Sequence, residues 1–509
     1  MKQDMMATQT NEARSDILTS LEGLSSPLDP AAPSTAIILA AGHGKRIRSE
    51  TAKTLHEIWG RPTVVREAEA ARLGLGPGSN LVIVVGIQAL EVARAAGRRE
   101  GRAFAYQAEQ IGTGDAVRVG LNVFPNGDYR GNIYIFPGDM GLLTAAAVSR
   151  FREQFESQDT DMMVLTGIYD GAPADNFYGR IVRVPERDAS GQPLEDAGQV
   201  IEIKECKDIL RLSDDAPYEV EHRGRVHRFS RQELIEIREF NTSVYAFKGP
   251  LLKAHIDELT AENAQGEIYF TDLIHLFNQH GLVVRDAQAV DNDVVLAFNV
   301  KSELKQMQAI ARRQVYERLK DIVTLQDEED FYVADEVVAQ IEEMDREGVP
   351  LDIFIGQGAW VGPGVRLSRG VHVGHRSVLG GNILLGRGVQ IRENVSLSTY
   401  AHQTLKVGDF SEILEGNIIK GNLEIGSNTR IESRVNVTGS DEHPTRIGNC
   451  VTIKGTSYLF GSIVEDDLLI EHSVLIRKRA ERVVKKDGSI QPIRYVLPQP
   501  DGLDSIQNL

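Results

Sequence analysis

A row of aliphatic residues spaced six apart constrains this chain more than any other feature. Ile355, Val361, Leu367, Val373, Leu379, Leu385, Ile391 and Leu397 hold the period without a break. It resumes at Val407, Ile413, Ile419, Ile425, Ile431 and Val437, then at Ile447, Ile453 and Leu459, and finally at Val464, Ile470 and Ile476. Glycine often follows directly, as at Ile355, Val361, Val373 and Ile425. A six-residue repeat of this kind reads as a hexapeptide β-helix, whose rungs stack so that the aliphatic row becomes one continuous core. A Val- and Gly-rich sandwich would not keep a strict period through so many positions. The β-helix is placed at residues 351–478.

Upstream the texture differs. Short apolar runs at Ala36–Ala40, Leu81–Val85, Ile133–Phe136 and Met162–Leu165 alternate with helical patterns such as Pro62–Leu73 and Leu143–Phe155. Strands that are apolar throughout, separated by helices, predict a mostly parallel sheet covered on both faces. This α/β domain is placed at residues 35–300. Residues 1–34 and 479–509 read as tails, the former mobile. Residues 301–350 read as a helical connector, and the charged stretch 209–238 as an inserted loop or flap.

Composition narrows the function. The 509 residues carry 73 acidic against 56 basic side chains, a formal charge of −17. That argues against a general nucleic-acid or anionic-membrane surface but leaves room for a local basic pocket. There is no apolar run long enough to cross a membrane and no secretory leader, so a cytoplasmic location is expected. Cys206 and Cys450, the only cysteines, are too few for a disulfide framework or a cysteine zinc site and are expected to be buried thiols.

The sharpest motif follows the first strand: LAAGHGKRIRSETAK, residues 39–53. A glycine turn after a buried strand lets backbone N–H groups approach phosphates, and Lys45, Arg46 and Lys53 bring cations suited to a triphosphate. It is neither a P-loop nor the dinucleotide fingerprint, since Ile47 stands where the third glycine would be. Further motifs come in order: QAEQIGTGDA (107–116), PGD (137–139), NFYGRIVR (176–183), IKECKD (203–208), EFNTSVYAF (239–247), GEIYFTDL (266–273) and FNVKSEL (298–304).

This series resembles the sugar-1-phosphate nucleotidyltransferases, in particular the bacterial N-acetylglucosamine-1-phosphate uridylyltransferases, which also carry a C-terminal left-handed hexapeptide β-helix. The resemblance covers residues 35–310 by motif and the β-helix by architecture. It implies a Rossmann-like domain that joins UTP and N-acetylglucosamine 1-phosphate, releasing pyrophosphate. Leu39, Ala40, Ala41 and Gly42 would wrap the uridine, with Gln107, Gly112 and Thr113 reading the base. Gly138 would line the substrate, Asp139 and Asn299 would hold a Mg²⁺, and Arg46 and Lys53 would face the phosphates. Gly179, Glu205 and Asn241 would bind the sugar and ribose region. Taken singly, each is an ordinary turn, cap or surface residue; their joint order singles them out.

Three departures matter. Ala52 stands where the family usually has proline before the lysine, PGD replaces a Tyr-Gly-Asp type, and the insertion 209–238 falls between sugar-contacting motifs. A different hexose 1-phosphate, or dTTP in place of UTP, therefore stays open, as does a non-catalytic sugar-nucleotide sensor. The β-helix is expected to build a homotrimer. The family's acetyltransferase motifs survive only as echoes, HQTLKVGD (402–409) and NVTGSDEHPTRIG (436–448). These lie in the two ten-residue gaps of the repeat. With the family's three repeats per turn, both loops leave one corner two rungs apart, their bases on the order of 10 Å from each other. His402 or His443 is then the candidate base of a second, acyl-transferring site.

Overall fold

The computed structural model describes residues 14–42, 44–124, 129–188, 190–261 and 266–498. The chain divides into two compact units, Met1–Gln308 and Ala309–Leu509.

The first unit is built on a nine-stranded sheet. Its main path runs Val284–Gln288, Met162–Ile168, Glu239–Lys248, Asn132–Pro137, Ser34–Ala40, Asn80–Val85, Arg102–Tyr106. All neighbours on that path are parallel except Glu239–Lys248, antiparallel to both strands beside it. The apolar runs form the centre because both of their faces are covered. Ile38, Ile83 and Phe136 pack under the helices Thr63–Leu75, Ala89–Ala96 and Ala145–Ser157. Ile37, Val84 and Ile135 pack on the other side against Thr113–Leu121 and Leu273–Gln279.

Two expectations for this unit need correction. Residues 1–13 lie outside the described residues, but 14–24 form a helix rather than a mobile tail. Leu21 is buried in the core, and Ser26 N–H donates to the Arg102 carbonyl at 2.8 Å, so apolar contact and edge pairing fix the segment. The insertion is also more than a loop. It folds into a hairpin, Tyr218–His222 with Arg225–Phe229, and a helix Arg231–Glu236 opened by a Ser230–Glu233 capping box. Val220, Leu234 and Ile209 pack with Val182, Val184 and Ile201 from outside the insertion in one small core.

The second unit is a β-helix of three parallel sheets with nine, eight and seven strands. Each rung gives one short strand to each sheet, as in Phe354–Ile355, Ala359–Val361 and Val365–Arg366. The six-spaced residues point inward: Ile355, Val361, Val373, Leu379, Ile391, Leu397, Ile413, Ile419, Ile431, Val437, Ile453 and Leu459 are all fully buried.

Its ends differ from expectation. Thr324–Leu325 and Phe331–Val333, placed in the helical connector, pair in parallel with Phe354–Ile355 and Ala359–Val361, so the first rung begins within 301–350. At the far end the last turn is shortened, and Leu475 rather than Ile476 aligns with Leu459. Leu475 is 4% exposed and Ile476 40%, because a one-residue change in register exchanges the two faces of a strand. Nor is 479–509 simply a tail. Arg479–Ala480 and Ile493–Arg494 each add a strand, while residues 499–509 lie outside the described residues. Of the cysteines, Cys206 is half-buried and Cys450 is exposed, at a corner with positive φ. Among the described residues no helix is long and apolar enough to cross a membrane.

Candidate active site

The first strand, Ser34–Ala40, and its neighbour Asn132–Pro137 run in the same direction, so their C-terminal ends open side by side. Crevices at this edge of a parallel sheet are where ligands bind in α/β folds. Pro137 pairs with Leu39, and Gly138 N–H donates to the Leu39 carbonyl at 3.0 Å. A Cβ on Gly138 would stand 2.8 Å from that oxygen, which accounts for the glycine before Asp139. Ala40 and Ala41 are buried, Leu39 is half-buried and Gly42 is exposed at the turn.

Beyond that turn, Gly44 has a left-handed backbone, φ 56°, and lies so close to Lys53 that a Cβ would come within 2.9 Å of the lysine Cβ. The chain then makes a single 3₁₀ turn, Lys45–Ile47, which Ile47 anchors in the interior. The Lys45 side chain lies outside what the structure describes. A second 3₁₀ turn, Lys53–Leu55, carries the lysine. Ala52, despite replacing a proline, is buried and donates its N–H to Gln88 Oε1 at 2.6 Å; a proline would lack that donor.

Four predicted residues meet here. Lys53 Nζ forms an ion pair with Asp139 Oδ2, donates to Asn299 Oδ1 at 3.0 Å and stands 5.5 Å from the centre of the Phe298 ring. Arg46 Nη2 donates to the same Asn299 oxygen at 2.7 Å. Among the described residues Asp139 Oδ1 is buried with no hydrogen-bond partner. The pair Asp139 and Asn299 thus presents oxygens to cations, with one carboxylate oxygen still unmatched. This suits a hard divalent ion that takes few protein ligands.

Gln107 is buried beside this edge, its amide donating to Gly112 O at 3.2 Å and Asp115 Oδ2 at 2.8 Å. Gly112 adopts φ 134°, and a Cβ there would collide with the Ile268 backbone. Thr113 Oγ1 accepts the Phe270 N–H at 3.2 Å. The GTG and EIYF motifs are therefore one packed corner.

A third group forms on the hairpin Arg180–Arg183 with Val200–Lys204. A Cβ on Gly179 would stand 3.2 Å from Glu205 Oε1, and Asn241 N–H donates to Gly179 O at 2.9 Å. Asn241 sits where Glu239–Lys248 loses register against Met162–Ile168, a bulge of the sort that re-aims side chains next to sites. Burial, then the charges of Asp208 and Asp272, push the Glu205 carboxyl up to about 7.

Several contributors were missed in the sequence. Glu303 Oε2 accepts the backbone N–H groups of Asn299 and Val300, holding Asn299 at the start of the helix Lys301–Leu319. An acid in the first turn of that helix was the available signal. Tyr178 stacks on Phe240, centroids 4.5 Å apart, and its hydroxyl donates to Ala297 O at 3.4 Å. Glu67 is wholly buried, and burial followed by the Asp139 charge raises its carboxyl well above the usual range. It sits in an unremarkable helical pattern and carried no signal.

In the β-helix the two loops meet as their spacing predicted. His402 Nε2 lies 2.8 Å from Asp441 Oδ2, and Gln403 Nε2 donates to Asp441 Oδ1 at 3.0 Å. Hydrogen bonds from His402, then Gln403, hold Asp441 below the usual carboxylate range. His443 does not join them; its N–H donates to Ser440 Oγ within its own loop, and its ring faces Phe460 edge-on.

Residues 36–198 match the model of the MobA-like NTP transferase domain. A bifunctional protein GlmU from Trichlorobacter lovleyi is 31% identical over 444 residues, covering 82% of this chain and 88% of the relative. The chain belongs to the GlmU family. A second bifunctional protein GlmU, from Caldanaerobacter subterraneus subsp. tengcongensis, is 28% identical over 444 residues, covering 87% of this chain and 85% of its own. Like other GlmU-type chains, this one is a sugar-1-phosphate nucleotidyltransferase of the α/β-plus-β-helix architecture.

Proposed function

We propose that the enzyme joins UTP to N-acetylglucosamine 1-phosphate, and that the meeting of Arg46 and Lys53 with Asp139 and Asn299 at the exit of the first strand is its reaction centre. The observation that carries this reading is the double engagement of Asn299 Oδ1 by both cations. An oxygen of the sugar phosphate attacks the α-phosphorus, the bond to the bridging oxygen breaks, and pyrophosphate leaves with the electron pair. No side chain acts as nucleophile. Arg46 and Lys53 counter the charge that grows on the phosphoryl oxygens and on the leaving group. A Mg²⁺ held by Asp139 and Asn299 would supply further charge neutralisation. Leu39 to Gly42, with Gln107, Gly112 and Thr113, hold the uridine, and Gly138 lets the substrate lie close to the sheet. Gly179, Glu205 and Asn241 receive the sugar.

Pyrophosphate release from a panel of UTP, dTTP, ATP and GTP against several sugar 1-phosphates tests the assignment. UTP with N-acetylglucosamine 1-phosphate is expected to lead by at least tenfold. A different leading pair removes that substrate choice, and no release with any pair favours a sensor.

A second reading concerns the β-helix. The His402–Asp441 contact orients an imidazole as a general base would need, and the relatives are named bifunctional. Acetyl-CoA thiol release with glucosamine 1-phosphate, lost in His402→Ala, is the expected result; its absence leaves the β-helix to assembly alone. A homotrimer formed by the β-helix accords with the exposed Val378 and Ile418, which stand in register two rungs apart. The cytoplasm, where nucleoside triphosphates are made and used, is the place proposed for this reaction.

A further inference from the structure

Against a net charge of −17, one cleft of the first unit runs the other way. Arg61, Arg98, Arg99 and Arg102 line a cavity of about 290 Å³ together with Val65, Ala68, Ala96 and a single acid, Glu69. The walls come from the helices Thr63–Leu75 and Ala89–Ala96 and the start of the strand Arg102–Tyr106. Glu69 is already engaged by Arg61. Among the described residues Arg98, Arg99 and Arg102 have no ion pair. Arg102 is 5% exposed. Its Nη1 donates to the carbonyls of Ala96 and Gly97, closing the helix Ala89–Ala96, while its Nε is buried with no hydrogen-bond partner among the described residues. Burial, then the like charges of Arg99 and Arg72, push it down to about 10.

Several guanidinium groups crowded together, one of them desolvated, are costly unless an anion answers them. Arginine's planar fork matches phosphate oxygens, two bonds at a time. The volume lies at the lower end for small-molecule pockets, suiting a phosphoryl group with little attached. None of these residues belongs to the Lys53 centre. The helix Ala89–Ala96 nevertheless begins at Gln88, whose side chain holds the Ala52 N–H beside Lys53.

We propose that this arginine cleft is a second phosphate-binding site, separate from the reaction centre, whose occupant bears on the Lys53 turn through Gln88. The proposal stands whichever nucleotide and sugar the enzyme uses. The ligand chemistry is a phosphoryl dianion, which orthophosphate, pyrophosphate or a sugar phosphate can present.

The test is calorimetric titration of the full chain carrying Lys53→Ala, which weakens phosphate binding at the reaction centre, with each of the three probes in turn. At least one probe is expected to bind with one site per chain, and adding Arg98→Ala and Arg99→Ala should weaken it tenfold or more. Both side chains are exposed, so the fold tolerates their loss. Which probe binds identifies the source: orthophosphate points to free phosphate, the sugar phosphate alone to a phosphorylated metabolite, pyrophosphate alone to feedback by product. No binding of any probe, or equal binding after the arginine substitutions, overturns the site. With Lys53 restored, the bound probe should shift the apparent KM for the nucleotide at least twofold, and Arg98→Ala/Arg99→Ala should abolish that shift. Persistence of the shift in that variant, or no shift at all, overturns the connection to Lys53.

Discussion

Arg46 and Lys53 illustrate how little of a residue's role its type reveals. Both are cations near a glycine turn, yet Arg46 is exposed while Lys53 is held against Asp139, Asn299 and the Phe298 ring. Arg46→Ala should therefore leave the thermal unfolding midpoint within a degree or two while lowering kcat by about 10²–10³-fold, the scale of losing one preorganised charge contact. Unchanged kcat removes Arg46 from the reaction. Glu303→Ala acts one step away: it frees the Asn299 backbone, so activity should fall and its Mg²⁺ dependence should move to higher concentration. Glu205 gives a prediction in pH. Its carboxyl is raised to about 7 in the folded chain from an ordinary 4.5, so the native state binds the extra proton. Stability from this group is present below about pH 4.5 and lost as pH rises to about 7, by up to about 3 kcal/mol. Glu205→Gln should flatten that fall in denaturant titrations across this window; an unchanged slope overturns the shift.

At the scale of elements, the β-helix was legible because its period and its burial are one fact: every sixth side chain must be aliphatic or the rung cannot stack. Legibility ended where the chain broke its own rhythm. The shortened last turn hid that Leu475 faces inward, and the strands Thr324–Leu325 and Phe331–Val333 escaped because Leu325 and Val333 do not keep the six-residue spacing. Leu475→Ala should cost about 2–4 kcal/mol and Ile476→Ala under about 1 kcal/mol in chemical unfolding; the reverse order would restore the unbroken period. In the first unit the central strands could be read because both faces are apolar. The insertion could not, because it gives only three buried residues to a core it shares with Val182, Val184 and Ile201, and its surface is charged. The groupings of the candidate site were legible where motif spacing is tight, as around Lys53 and Gly179. Glu67, Glu303 and Tyr178 act through contacts between distant segments, which spacing cannot reveal.

At the scale of the whole molecule, one unit is built on a mostly parallel sheet and the other on a stack of rungs. In such a stack each rung rests only on its neighbours, so its two ends carry a burden the middle does not. The segment after Ile476 answers that burden at one end. Ile493–Arg494 pairs with Leu469–Glu471, Val474 N–H donates to Val496 O at 2.7 Å, and Glu465 N–H donates to Ala480 O at 3.0 Å. Each of these bonds occupies a main-chain group that the last rung would otherwise leave open. Bare strand edges are templates for further strands. A chain cut after Arg477 should thus trade a closed particle for end-to-end growth, its light scattering climbing with protein concentration into filaments while the intact chain stays discrete.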